Sequence, residues 1–241
     1  MRTTAIRTTG ALKNAGRLTG RTMAVAVLGA TVALAAGCGG TTQAAIQVQG
    51  QGRVPAGLEG VLQSPPQPKP SFVLADTSGR PYDLAGATQG YATLLYFGYT
   101  HCPDECPTHM ANIAAALSQV EPQVSSHVKV VFVTTDPPRD TPAVIRKWLD
   151  NFSTSFIGLS GTEAQIQAAE AGTGIDPNAG SEPTVPGATT TIPTGDYSVT
   201  HAAYVLAFTT DNLAHVIYPS GLGVKAWVHD LPELVRGWPK S

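Results

Sequence analysis

Runs of apolar residues, separated by glycine, proline or polar turns, recur along the chain from about residue 70 onwards. The runs at 94–98 and 128–134 are continuous and rich in aromatic or β-branched residues, which is typical of buried strands. Shorter runs flank tight turns at 77–80 and 209–212 and predict paired strands around each turn. Strands are therefore predicted at 72–76, 81–84, 94–98, 128–134, 156–160, 202–208 and 213–218.

The spacing of apolar residues changes directly after the run at 94–98. From Pro107 to Val120 they recur three and four positions apart, which is one face of a helix. Pro107 cannot donate a backbone hydrogen bond, so we place it at the first helical position, with Cys106 as the helix cap. Further helices are predicted at 142–149, with Asp140 or Thr141 as its cap, and at 163–171 and 227–235.

This order of strands and helices predicts an α/β protein. A parallel βαβ start followed by an antiparallel hairpin is the layout of a thioredoxin-like three-layer fold, in which helices flank a central mixed sheet. Residues 172–198 are rich in Gly, Pro and Thr and too long for a routine connector, so they are predicted to be a loop insertion. The globular domain is predicted to span residues 70–241, after an N-terminal extension.

The N-terminal extension begins with a targeting pattern. Residues 1–22 carry five basic side chains and no acidic one, and 23–37 form a short uncharged apolar run that ends in small residues. These features predict a secretory signal peptide over residues 1–37. The segment at 34–38 resembles a bacterial lipoprotein signal, which implies lipid on Cys38 and a membrane anchor on the extracytoplasmic face. The alternative is an ordinary secreted protein in which Cys38 is incidental.

Between the signal and the globular domain lies a segment without periodicity. Residues 38–69 are rich in Gly, Gln, Thr and Pro, and they predict a flexible tether that stiffens towards its proline-rich end. The net charge of the chain is −2, with 13% charged residues. A chain of this charge has no electrostatic footprint for nucleic acid.

The candidate chemistry lies at the first strand-to-helix turn. Cys102 and Cys106 are four positions apart there, and they are the pair that remains if Cys38 is lipidated. The N-terminus of a helix stabilises thiolates, and we expect both thiols to face outward. Two thiolates with an imidazole form a soft site suited to Cu(I), with Cu(II) also acceptable.

Three segments, at 96–107, 136–142 and 196–201, resemble the SCO/SenC family of membrane-tethered, thioredoxin-fold copper chaperones. The resemblance implies that Cys102, Cys106 and His201 are copper ligands and that Asp136 is an acidic residue near them. It also implies delivery of copper to the copper-bearing subunit of cytochrome c oxidase, and an external thiol reductant as a second partner. In this chain Thr200 stands where the family often has an acidic residue.

Several other interpretations of the same residues remain open. Cys102 and Cys106 could form a structural disulfide, or a zinc site with His101 or His109. They could also be the catalytic pair of an extracytoplasmic thiol–disulfide oxidoreductase, although reductases of this fold usually carry two residues between the cysteines and this chain has three. Passive copper buffering is a further possibility. Asp136 could equally cap its loop. If they bind no metal, His101 and His109 are expected to be surface or capping residues. The remaining histidines are expected to be structural or solvated, and the tryptophans to pack in the core or at its edge, namely His127, His215, His229, Trp148, Trp227 and Trp238.

Overall fold

The computed structural model describes residues 57–175, 199 and 202–238. The predicted signal peptide, the lipidation site Cys38, most of the predicted insertion and the predicted ligand His201 lie outside the described residues. Within the described ranges, no helix has the length and hydrophobicity needed to cross a bilayer.

The described residues form an eight-stranded sheet with helices packed on both faces, in the strand order β1-β8-β7-β4-β5-β6-β2-β3. The strands are β1 (Val61–Pro68), β2 (Val73–Asp76), β3 (Pro81–Asp83), β4 (Ala92–Gly98), β5 (Val128–Thr134), β6 (Ile157–Ser160), β7 (Tyr204–Phe208) and β8 (Leu213–Pro219). The helices are α1 (Leu84–Ala87), α2 (Glu105–Leu117), α3 (Pro122–Ser125), α4 (Pro142–Leu149), α5 (Glu163–Gly172) and α6 (Val224–Arg236).

The sheet is mixed, as predicted. β4 pairs in parallel with β5 and antiparallel with β7, and β5 pairs in parallel with β6. All seven residues of β4 are buried, which explains why its sequence is a continuous apolar run rather than an alternating one. The arrangement confirms the predicted α/β thioredoxin-like fold and brings the ends of β4 and β5 to the same edge of the sheet.

Alternate residues along the strands pack into two separate clusters, one on each face of the sheet. The first, which we call the dithiol face, is covered by α2, α4 and α6. The second, which we call the hydrocarbon face, is covered by α1 and α5. The dithiol face includes Leu94, Tyr96, Phe132, Val205, Val216 and Tyr218, with Cys102 and Cys106 at its edge. The hydrocarbon face includes Leu95, Phe97, Val131, Val133, Leu206 and Phe208.

The predicted tether over residues 38–69 is wrong at its C-terminal end. Residues 61–68 form β1, which pairs antiparallel with β8. The prolines that suggested a tether are tolerated because β1 lies at the edge of the sheet, where a missing N–H breaks no ladder on the open side. The ladder is also interrupted between Leu62 and Gln67, so the proline segment needs no regular pairing.

Most other element predictions are confirmed. Thr141 caps α4 by accepting a hydrogen bond from the backbone N–H of Val144 (3.3 Å), with Pro142 in the first turn. The hairpin at 209–212 is present, and Asn212 supplies its left-handed residue with a φ of 63°. α6 begins three residues earlier than predicted, because the tryptophan that marked its predicted start lies in its first turn.

Candidate functional site

The two cysteines lie where β4 leads into α2. Cys102 is in the connecting loop, and Cys106 is the second residue of the helix. The chain can turn here because β4 ends in Gly98. A Cβ atom at that position would lie 2.8 Å from Cys106 Sγ and 2.7 Å from the Tyr96 ring. The close approach of the helix to the end of the strand therefore depends on this glycine.

The predicted helix cap at Cys106 is wrong. α2 begins at Glu105 after Asp104, so Pro107 is the third helical residue rather than the first. A proline is tolerated there because the first four N–H groups of a helix have no partner within the helix.

The expectation that both thiols face outward is also wrong. Cys102 is 8% exposed, and Cys106 is 0% exposed. The helix starts earlier than predicted, which turns Cys106 inward onto the dithiol face. Of the two residues, Cys102 is therefore the more accessible to a partner.

Cys106 is held in an apolar setting with a few polar contacts. The Tyr96 hydroxyl donates to Cys106 Sγ at 3.4 Å, and the backbone N–H of Cys106 donates to Cys102 Sγ at 3.5 Å. Both residues are thiols rather than half-cystines. Burial raises the pKa of the Cys106 thiol to about 12, and the hydrogen bond from Tyr96 offsets only part of this rise. Cys106 is therefore protonated at neutral pH until an electrophile or a metal ion displaces the proton.

Asp136 follows the end of β5, at the same edge of the sheet. It is buried, and its carboxylate forms an ion pair with Arg139. The guanidinium of Arg139 lies over the ring of Tyr99, with 5.8 Å between them, and Tyr99 precedes Cys102 by three residues. Asp136 is thus linked to the cysteine loop through Arg139, and its role beside a metal stays a prediction.

The sequence interpretation missed the part that Asp140 plays at the site. It considered Asp140 only as a possible helix cap, whereas the buried carboxylate accepts hydrogen bonds from Thr100 and Thr134. The sequence feature that could have indicated this role is the position of Asp140 in the segment at 136–142, where the resemblance points to Asp136.

His109 is not a surface or capping residue, as had been expected. It is 3% exposed, its ring lies 4.9 Å from the Tyr96 ring between centroids, and its Nε2 lies 3.4 Å from Ser220 Oγ. Its position three residues after Cys106 places it on the same inward face of α2. His101 is the more open of the two, with its side chain 46% exposed.

The full predicted ligand set is not assembled within the described residues, because His201 lies outside them. Ala203 lies two positions further on, and its carbonyl accepts hydrogen bonds from both the backbone N–H and the hydroxyl of Ser220. Over residues 57–175 and 202–238, no group of three or more His, Cys, Asp or Glu side chains is arranged to hold a metal ion.

The fold and the paired thiols define a thioredoxin-like protein with a dithiol at its first strand-to-helix turn. The SCO1/SenC family model matches residues 61–236, so the chain belongs to the SCO1/SenC family.

Individual relatives agree with this assignment. The SCO2-like protein RT0576 of Rickettsia typhi is 39% identical over 100 residues, which are 40% of this chain and 47% of that protein. The chain spans about half the length of the curated relatives it matches.

Solved structures with lower sequence identity agree with this assignment. The apo Sco1 protein from Thermus thermophilus is 29% identical, with a TM-score of 0.60 over 73% of this chain and 95% of that one. ScoI of Bradyrhizobium japonicum, solved with copper bound, is 27% identical, with a TM-score of 0.54 over 69% of this chain and 98% of that one.

Proposed function

We propose that this protein is a copper-binding metallochaperone that takes part in assembling the copper centre of cytochrome c oxidase. Cys102 and Cys106 supply two sulfur ligands and His201 the third ligand. The observation that carries the proposal is the pair of thiols at the β4–α2 turn of a SCO1/SenC domain. A relative with 27% identity was solved with copper bound.

The donor set fits copper on chemical grounds. Soft thiolates select Cu(I) over the harder divalent ions, and an added imidazole also allows Cu(II). The surroundings of Cys106 are apolar, which disfavours an uncompensated thiolate but accepts a metal-bound one. Because Cys102 is the more exposed sulfur, we propose that copper enters and leaves through it.

We place the domain at the extracytoplasmic face of the cell membrane, held there by lipid on Cys38. The tether then begins at residue 38 and ends before Leu58, since Leu58 packs against the dithiol face and the backbone N–H of Glu59 donates to Asp230. The client is the copper-bearing oxidase subunit. An external thiol reductant keeps the cysteines in the dithiol form, which copper loading requires.

Anaerobic titration of the reduced protein with Cu(I) against a competing chelator tests the proposal. We expect one equivalent to bind, and we expect Cys102→Ala or Cys106→Ala to weaken binding by more than about 100-fold. His201→Ala should weaken it by about 10- to 100-fold, while His127→Ala, an exposed histidine outside the site, should have no effect. Unchanged affinity in both cysteine variants would refute the proposal.

The alternative, a thiol–disulfide oxidoreductase that uses the same cysteines, makes the opposite prediction for His201. It expects turnover of a disulfide substrate that is fully retained in His201→Ala. The spacing of the cysteines argues against it, because reductases of this fold usually carry two residues between the cysteines and this chain has three. Transfer of copper to the purified oxidase subunit separates chaperone from reductase and from passive copper buffer.

A further inference from the structure

We infer that Asp140 is a positioning residue of the dithiol site, which fixes the loop that carries Cys102. The part of the inference that concerns copper rests on the proposed function. The part that concerns the dithiol–disulfide equilibrium does not.

The carboxylate of Asp140 binds the loop after β4 and the end of β5 at once. One oxygen, Oδ2, accepts hydrogen bonds from the backbone N–H of Thr100 (2.9 Å) and from the Thr134 hydroxyl (2.7 Å). The other, Oδ1, accepts from the Thr100 hydroxyl at 2.5 Å. Asp140 is 0% exposed, so water does not compete for these donors. Thr100 belongs to the loop after β4 and Thr134 ends β5, so the carboxylate joins the two.

The fixed point is close to the sulfur atoms. Thr100 precedes Cys102 by two residues, and the backbone N–H of Cys102 donates to the carbonyl of Tyr99 at 3.2 Å. The loop is therefore a tight turn whose start is held by Asp140 through both the backbone and the side chain of Thr100. Its other end is held by the hydrogen bond from the Cys106 N–H to Cys102 Sγ.

Capping of α4, the helix that follows Asp140, does not explain why this carboxylate is buried. α4 is capped by the Thr141 hydroxyl, so the Asp140 side chain is not needed as its cap. Burying a carboxylate is costly unless hydrogen bonds compensate. Among the ion pairs of the described residues, its partner is the half-exposed His101, with 3.6 Å between Nδ1 and Oδ1. The three hydrogen bonds from Thr100 and Thr134 are therefore the main stabilisation of the Asp140 carboxylate.

The same contacts extend to Asp136. The Thr134 hydroxyl donates to Asp140 and accepts from the backbone N–H of Asp136 at 2.9 Å. The backbone N–H of Asp140 in turn donates to the carbonyl of Asp136 at 2.9 Å. The loop that carries the cysteines and the loop that carries Asp136 are thus joined through one carboxylate and one hydroxyl.

The test uses two substitutions with matched controls. Asp140→Asn keeps the shape but replaces one acceptor oxygen by a donor, and Thr134→Val removes one of the three hydrogen bonds. Asp230→Asn is the matched carboxylate control, because Asp230 is also 0% exposed and accepts from Tyr218, His229 and the backbone of Glu59. Thr209→Val is the matched hydroxyl control, because Thr209 donates to Asp211 at 2.6 Å in the distant hairpin.

The first readout is the dithiol–disulfide equilibrium of the copper-free protein in glutathione buffer. Glutathione disulfide oxidises the two thiols: the Cys102–Cys106 bond forms, the S–S bond of glutathione disulfide breaks, and two glutathione thiols are released. Because Asp140 stabilises the loop in the dithiol form, we expect its loss to favour the disulfide about tenfold, which is about 30 mV for a two-electron couple. Thr134→Val should act in the same direction, about threefold.

The second readout is the Cu(I) affinity, which we expect to fall about tenfold in Asp140→Asn. The control variants Asp230→Asn and Thr209→Val should lower thermal stability but leave both readouts within twofold of wild type. An equilibrium that is unchanged or shifted towards the dithiol in both Asp140→Asn and Thr134→Val would overturn the inference. So would an equal shift in the controls. If the wild type binds no copper, the proposed function fails while the glutathione equilibrium still decides the role of Asp140.

Discussion

The two faces of the central sheet are formed by the same strands but differ in the side chains that they bury. The hydrocarbon face is built mainly from aliphatic side chains and phenylalanine packed under α1 and α5. Its polar member on β4 is Thr93, whose buried hydroxyl accepts a hydrogen bond from Lys69. The dithiol face carries buried polar groups among its apolar residues: Tyr96 bonds to Cys106, and Tyr218 donates to Asp230 at 2.9 Å. Both faces use alternate residues of the same strands, so the difference lies in side-chain chemistry rather than in backbone geometry.

This difference separates the residues that stabilise the fold from those that also influence the reactivity of the thiols. Hydrocarbon packing stabilises without specifying any chemistry, whereas each buried polar group needs a partner and fixes its orientation in return. On the dithiol face one partner of Cys106 is the Tyr96 hydroxyl, whose hydrogen bond restrains the position of the sulfur. Substitutions on the hydrocarbon face should therefore change stability alone, and substitutions of the groups that contact the cysteines on the dithiol face should change thiol chemistry as well.

The largest effect is expected for Leu95→Ala on the hydrocarbon face. Leu95 is fully buried in the central strand, so truncation leaves a cavity and should destabilise the protein by about 3 kcal/mol, within a range of about 2–5. Denaturant unfolding measures the loss. The dithiol–disulfide equilibrium should stay at its wild-type value where the variant is folded. A clear shift in that equilibrium would break the proposed separation of the faces.

A smaller, pH-dependent effect is expected for Glu170→Gln at the rim of the hydrocarbon face. Burial raises the pKa of the Glu170 carboxyl from 4.5 to about 7. Between these values the folded state binds more protons than the unfolded state, so wild-type stability falls as pH rises from about 4.5 to about 7.

Glutamine carries no such proton. The variant should therefore gain about 1–2 kcal/mol relative to wild type across this window, with allowance for partial solvation. Unfolding free energies measured from pH 4 to pH 8 give the difference. Parallel profiles for the two proteins would show that Glu170 ionises normally in the folded state.

The smallest change in stability is expected for Tyr96→Phe on the dithiol face, at about 1 kcal/mol for the lost hydrogen bond. Its effect on the properties of the thiols should be larger than that of Leu95→Ala. Because the Tyr96 hydroxyl lowers the pKa of Cys106, its removal should raise that pKa further. The rate of alkylation of Cys106 at pH 8 in a Cys102→Ser background, which is proportional to the thiolate fraction, measures this shift and should fall. An unchanged or lower pKa would contradict the role given to the hydroxyl.

Local pattern was enough to predict the centre of the fold. Apolar runs predict β4 and β5, and a change of spacing at Pro107 predicts the helix after the cysteines. These predictions succeed because the apolar residues that bury each element lie within the element itself. The edge strand β1 was not predictable in this way. Its prolines resemble a linker, and only the position at the sheet edge, a property of the whole fold, makes them acceptable.

The position of the cysteine pair was easier to predict than its geometry. The cysteine pair was recognisable from its spacing and its place at a strand-to-helix turn. The burial of Cys106 depends on where the helix starts, which differed by two residues from the prediction. The role of Asp140 depends on Thr100, 40 residues away in the chain, and no local pattern encodes a contact at that separation.

The most direct test of the central claim is X-ray absorption at the copper edge of the protein loaded with one equivalent of Cu(I). The account predicts two sulfur ligands and one nitrogen ligand in the wild type, and loss of the nitrogen with both sulfurs retained in His201→Ala. A first shell with fewer than two sulfur atoms in the wild type would contradict it.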